Sequence, residues 1–254
     1  MGIKERRLRQ REEMHRGILD AAQEIAASEG WPAVTIRRVA DKIEYSPPMI
    51  YEYFNSKEQI VIELLREGAR RLLADMRAAR DAHADPVDAV VGVGKAFWKF
   101  AQAHPEMLVG MHGEPAFQAC VGHANAIGPK DGLGQQSPAA TRHAPFEEVH
   151  QHEDILALYR ARSPQLPADD PFPEGHEIFF AVRDALERAL GGSDHDLEDL
   201  SWKVVIVWGG TLGLITLAMG GLIPNARTEG ERLVEKMLRD LLTVWRSEAR
   251  HAAR

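Results

Sequence analysis

Apolar side chains recur at intervals of three and four along most of this 254-residue chain, the spacing that gathers them on one side of an α-helix. Met14, Ile18, Ala22 and Ile25 mark a first helix over residues 12–29, and Gly30 ends it, as a glycine past the last periodic residue does. Thr35 is placed to cap a short helix whose inner face is Ile36, Val39, Ala40 and Ile43. A turn at 44–46 leads to a second short helix, 47–54. Ser56 and Gln59 then have capping-box spacing and open a long fourth helix that runs to about residue 82. Helical patterns resume at 87–103, from Pro105 onward, and at 146–162, 174–190, 196–221 and 228–250. No stretch alternates convincingly with period two, so the expected fold is all-α.

Breaks in the pattern set the organisation. Residues 83–86 interrupt the long helix, and 164–173 form a proline-rich connector. Residues 121–145 hold four glycines and three prolines in a small, polar context and read as a mobile loop. The expected division is a head at 1–55 and a larger helical regulatory and dimerisation body at 56–254. Within the head, 12–55 is the ordered part and 1–11 a basic arm, where Lys4, Arg6, Arg7, Arg9 and Arg11 face only Glu5. Such an arm suits a phosphate backbone.

Composition refines this picture only in places. Residues are 44% apolar and 27% charged, ordinary for a globular protein with a sizeable core. The net charge of −7 argues against binding nucleic acid as a simple polycation, but the charge is uneven. Residues 1–57 carry ten basic and nine acidic groups, the remainder 21 and 29. A single cysteine, Cys120, excludes an intramolecular disulfide framework and fits a cytoplasmic chain, as does a charged N-terminus lacking the apolar run of a signal peptide.

Three helices with a three-residue turn between the second and third, followed by a long fourth, describe a helix-turn-helix head. Ser46 is the expected N-cap of the third helix, with Pro47 and Pro48 at its first two positions, where backbone N–H groups lack helical partners anyway. Pro48 disfavours helical dihedrals at Pro47 and so can distort that first turn. The run Thr35-Ile36-Arg37-Arg38-Val39-Ala40, with Ser46-Pro47-Pro48-Met49-Ile50-Tyr51-Glu52-Tyr53-Phe54-Asn55-Ser56-Lys57-Glu58, resembles the DNA-binding head of the TetR family of bacterial regulators over about residues 12–65. That resemblance implies contacts to double-stranded DNA by Thr35, Arg37, Arg38, Ser46, Pro48, Met49, Tyr51, Tyr53 and Lys57. Chemically, Arg37 suits a bidentate contact to guanine, while Lys57 and the Tyr53 hydroxyl suit phosphate oxygens. Phe54 is expected in the three-helix core; Tyr51 suits the core or the DNA. Glu44 stands where the family usually places glycine, so either this turn holds a strained left-handed glutamate or it takes another conformation.

The resemblance further implies a homodimeric transcription regulator, a repressor on a palindromic operator, released by a small apolar or amphipathic effector. Residues 104–108 and 208–214 are similar to a TetR C-terminal domain type named for a Trp-His-Gly pattern, with Leu212 in place of its histidine. Phe97, Trp98, Met107, Met111, Phe179 and Trp202 are expected to line the effector site, and Trp208, Leu212, Ile215, Leu233, Met237 and Leu241 the dimer interface. Val204 to Ile223 carries no charge over twenty residues, long enough to cross a bilayer. Its five glycines and two threonines suit burial against a partner subunit better, so no membrane is expected. Residues 147–154 mix histidines and acids, but on a helix His150 and Asp154 share a face that His152 does not. They read as a solvated face, and neither metal nor cofactor is expected. No nucleophile–base pair or phosphate-binding loop suggests an enzyme. The competing reading is a DNA-bound structural protein controlled by a protein partner. An internal apolar cavity would favour the effector, and a filled core with an exposed groove the partner.

Overall fold

The computed structural model describes residues 2–113, 172–192 and 196–252. Cys120, the loop expected at 121–145, the helix expected at 146–162 with its histidines and acids, and all but the last two residues of the connector at 164–173 lie outside the described residues. The described chain is helical throughout: α1 (Ile3–Glu29), α2 (Ile36–Lys42), α3 (Pro47–Ile50), α4 (Lys57–Asp81), α5 (Pro86–Ala103), α6 (Pro105–Gly113), α7 (Pro173–Leu190), α8 (Leu197–Met219) and α9 (Ala226–Ala252), with a 3-10 turn at Trp31–Ala33. Several boundaries are set by local chemistry that the sequence displays. Thr35 Oγ1 accepts from Arg38 N–H, Ser56 Oγ from Gln59 N–H, and Asp85 from the N–H groups of Val87 and Asp88.

Two boundaries differ from expectation. The first helix starts at Ile3, not at residue 12, so the basic arm is helix. Its residues show no apolar stripe, but Lys, Arg, Glu and Gln are strong helix formers, and the Glu5 carboxylate accepts from Gly2 N–H at 3.0 Å. The third helix stops at Ile50 rather than 54. Beyond it Glu52 and Tyr53 donate to Met49 and Ile50, three residues back, so the chain tightens into turns.

One hydrophobic core runs from Ile18 in α1 to Leu242 in α9. Trp31 joins head to body: it is 2% exposed, and its indole N–H donates to the Glu106 carbonyl of α6 at 2.7 Å. A Cβ on Gly110 would lie 2.6 Å from that indole nitrogen, so a glycine is needed for α6 to seat on it. In the body α5 packs between α4 and α9. Gly94 admits Leu238, and Gly230 lies against the Trp98 ring, where a Cβ would stand 1.7 Å from the nearest ring carbon.

Candidate nucleic-acid interface

The turn between α2 and α3 sets the geometry of the head. Glu44 has φ of 60°, the left-handed region. Its N–H reaches the Asp41 carbonyl at 3.3 Å, and Tyr45 N–H reaches the Ala40 carbonyl at 2.9 Å. These two bonds make a Schellman ending for α2, a motif that calls for a left-handed residue at this place. Of the two alternatives, Glu44 therefore adopts the strained one.

From that turn Ser46, with extended backbone and no side-chain capping bond, leads into Pro47 and Pro48. Ile50 and Phe54 are fully buried and hold α3 on the head, and His15 stacks on Phe54 at 4.6 Å. What remains outside is the surface of interest. Tyr51 is 55% exposed, which resolves its alternatives in favour of the outer face. Ser46, Pro48, Thr35 and Arg37 are exposed too; Met49, Tyr53 and Lys57 are half-buried. Arg37 makes no hydrogen bond or ion pair among the described residues and is free to take a base edge. Arg38 differs: both its terminal nitrogens bond the Glu29 carboxylate, Nη1 at 2.8 Å. That pairing holds Glu29 below the usual carboxylate range, chiefly through the hydrogen bond from Arg38. Lys57 opens α4 beside Glu58, whose carboxyl is also held low, first by its own backbone N–H and then by the Ser56 hydroxyl.

A groove of about 700 Å³ separates α3 from the first turns of α1. Arg7, Gln10, Arg11 and Glu13 line one wall, Tyr45, Met49, Glu52 and Tyr53 the other. The Arg11 guanidinium stands 5.8 Å from the centre of the Tyr53 ring. Sequence reading missed that Arg7 and Arg11 share a surface with α3, because it left the arm without structure.

The residues expected around an effector do not converge on one cavity. Phe97 is buried and stacks on Trp208 with centroids 4.4 Å apart; the void beside them measures only about 10 Å³. Met107 and Met111 pack over Gly68 of α4, and the half-buried Phe179 meets Phe180 edge-on at 5.9 Å. Trp98 lines a groove of about 530 Å³ with Ala101, Pro105, Ile215, Ala218 and Met219, and Lys99 and Arg227 also border it. Its buried indole N–H has no acceptor among the described residues. Trp202 is a correction: 50% exposed on α8, it faces outward.

Two expected interface residues are used inside the protomer. Ile215 is 2% exposed, and Trp208 is committed to Phe97. Leu212, Met237 and Leu241 are half-buried and Leu233 is exposed. The outward apolar face of α8 is instead Trp202, Val205, Ile206 and Leu217, with Gly209 and Gly213 between them and nothing near either glycine. That helix is long and apolar enough to cross a membrane, by length and composition. No group of three or more metal-ligating side chains occurs among the described residues.

Comparison with known proteins bears first on the head. The sequence profile of the bacterial regulatory proteins of the tetR family matches residues 18–64. The HTH-type transcriptional regulator BetI of Rhizobium meliloti is 32% identical over 93 residues, 37% of this chain and 46% of BetI. The HTH-type transcriptional repressor KstR2 of Mycobacterium tuberculosis is 32% identical over 92 residues, 36% of this chain and 46% of KstR2. The matches thus span about half the length of these curated relatives. The likeness of fold extends further: the crystal structure of the protein SCO4313 superposes with a TM-score of 0.61, covering 92% of this chain and 98% of its own, at 19% identity.

Proposed function

We propose, from the premise that this chain belongs through its head to the tetR family of bacterial regulatory proteins, that it is a DNA-binding transcriptional regulator, not an enzyme. The observation that carries this reading is the presented face of the head: Tyr51, Pro48 and an unpaired Arg37 stand exposed around a short helix whose other side is buried. In helix-turn-helix proteins the start of the second helix of the motif enters the major groove, and two heads address half-sites roughly 34–36 Å apart. The protein works as a homodimer on a palindromic operator, through the outward faces of α8 and α9. It represses, and a small amphipathic molecule that prefers a conformation with mis-spaced heads releases it.

The groove at Trp98 is the effector site in this reading. It is lined largely by apolar side chains, among them Trp98, whose buried indole N–H has no acceptor among the described residues, and is bordered by two cations. A partner-controlled regulator is the second reading, and the tightly filled core at Phe97 and Trp208 favours it. Native mass spectrometry of the purified protein separates them: a retained small molecule lost in a Trp98→Phe variant supports the effector.

Selection of duplexes from a random pool tests DNA recognition itself. Symmetric sites are expected, and a pool without enrichment overturns the reading. On the selected site Arg37→Ala is expected to cost ~1–3 kcal/mol, and much less on scrambled DNA, because a base contact carries sequence information. Lys57→Ala is expected to weaken both about equally and lower the salt slope by about one ion. Equal loss on both duplexes for Arg37→Ala reassigns it to the backbone and leaves base reading to Met49 and Tyr51.

A further inference from the structure

We infer that Glu174, the second residue of α7, is the positioning residue that fixes the angle at which α4 carries the head, and with it the half-site spacing the dimer accepts; this rests on the DNA-binding reading above. Head and α4 form one piece. His15 and Arg16 of α1 reach Glu63 and Glu67 of α4 at 3.2 and 2.6 Å. Ile60, Val61 and Leu64 of α4 are buried in the common core. Where a head stands is therefore set by what holds the rest of α4 against the body.

On the side facing α7 that hold is ionic. Arg66 and Arg70 lie one turn apart on α4, and both donate to Glu174. Arg66 Nε reaches the two carboxylate oxygens at 3.3 and 3.2 Å, and Arg70 Nη1 reaches Oε1 at 2.7 Å. Farther from the head, Arg77 Nη2 donates to Glu177 at 2.9 Å. Glu174 is 6% exposed, which is rare for a carboxylate. Burying it beneath two arginines adds little net stability, because desolvation offsets most of the attraction. What the arrangement does supply is direction, since charge-assisted bonds hold a defined geometry. It also admits a single register. A slide of α4 by one turn would set Ile62 or Ala74 where an arginine now stands and leave a buried carboxylate half-paired. The two ion pairs together define a line. From Arg77 to Lys57 α4 extends about 30 Å. With the Arg77 pair as pivot, a tilt of roughly 6° would move the head end by about 3 Å, close to one base-pair step. Glu174, seated between pivot and head, blocks that tilt.

The test uses the full-length protein and duplexes carrying the selected half-sites at the selected spacing, at one base pair more and at one fewer, with a single half-site as control. Wild type is expected to favour one spacing by about tenfold over its neighbours. Glu174→Met removes the charge at similar volume. It is expected to keep wild-type affinity for the single half-site but to bind the three spacings within about threefold of one another. Arg70→Ala, a change at an exposed side chain, is expected to flatten the preference in the same sense, and it decides the matter if Glu174→Met does not fold. A pair that served only stability would lower the thermal midpoint and weaken all three duplexes alike. Variants that keep the wild-type ranking, or a wild type indifferent to spacing, overturn the inference while DNA recognition stands. If wild type selects no site at all, the DNA-binding reading fails and the inference with it.

Discussion

Glu44 shows at the scale of one residue how a fold imposes a cost that composition alone hides. The Schellman bonds from Glu44 and Tyr45 fix a left-handed backbone there, and Glu44 meets it at φ of 60°. A Cβ in that region costs roughly 1–2 kcal/mol, which glycine avoids; glycine gives part of this back through a freer unfolded chain. Glu44→Gly is therefore expected to stabilise the protein by ~1 kcal/mol, a rise of about 2–4 °C in the unfolding midpoint for a chain of this size. A midpoint that is unchanged or lower in a melting curve would contradict the strain. The position stood out in the sequence because the family it resembles usually places glycine where this chain has Glu44. The sequence could not settle the direction of Tyr51 or Trp202. Aromatic residues serve core and surface equally, and the choice depends on which neighbours arrive from distant parts of the chain.

Helix starts were legible at the local caps Thr35 and Ser56, since each bond spans three residues; at Asp85 the sequence showed the break but not the cap. The early start of α1 was not, because charged residues that favour helix leave no apolar period to read. Nor was the short α3, whose end depends on a switch to turns after Ile50. Between elements, the α5–α9 contact combines close packing at Gly94 and Gly230 with a polar flank. Arg239 bonds Asp88 at 2.6 Å, and Glu235 takes bonds from Lys95 and from Arg239. Those bonds, Lys95 first, hold the Glu235 carboxyl below its ordinary value. A carboxylate with a depressed folded pKa adds stability above its unfolded pKa, about 4.3, and loses it as pH falls through the folded value. Glu235→Gln is thus expected to cost about 0.5–1 kcal/mol at pH 7, the scale of a partly exposed pair. The gap to wild type is expected to narrow as pH falls below about 4.3 toward the lower folded value. Denaturant titrations of both proteins from pH 7 to pH 3 check this, and a gap that does not narrow over that range overturns its electrostatic origin.

For the whole molecule the open question is what covers α8. Trp202, Val205, Ile206 and Leu217 are each 44–50% exposed on one side of it, and Leu233 and Val244 lie 38% and 52% exposed on α9. A contiguous apolar patch of this kind marks an interaction surface rather than an ordinary exterior. The glycines at 209 and 213 leave open space on the same face, so a partner helix can approach the backbone closely. A second copy is the occupant the proposed function calls for: two α8–α9 pairs related by a twofold axis would bury identical faces on each other, and the proposed two-half-site operator would need two heads. Ile206→Asp places a charge on the outer face without touching the protomer core. It is expected to yield a folded monomer at micromolar concentration, with affinity for the paired site lower by about a hundredfold or more, since one head alone then binds. Ile215→Asp, by contrast, is expected to unfold the chain, because that side chain is 2% exposed. Sedimentation velocity read alongside circular dichroism distinguishes the two. An Ile206→Asp dimer with full operator affinity would move the interface off α8, and wild-type protein extracted only with membranes would give this apolar helix a bilayer instead of a partner.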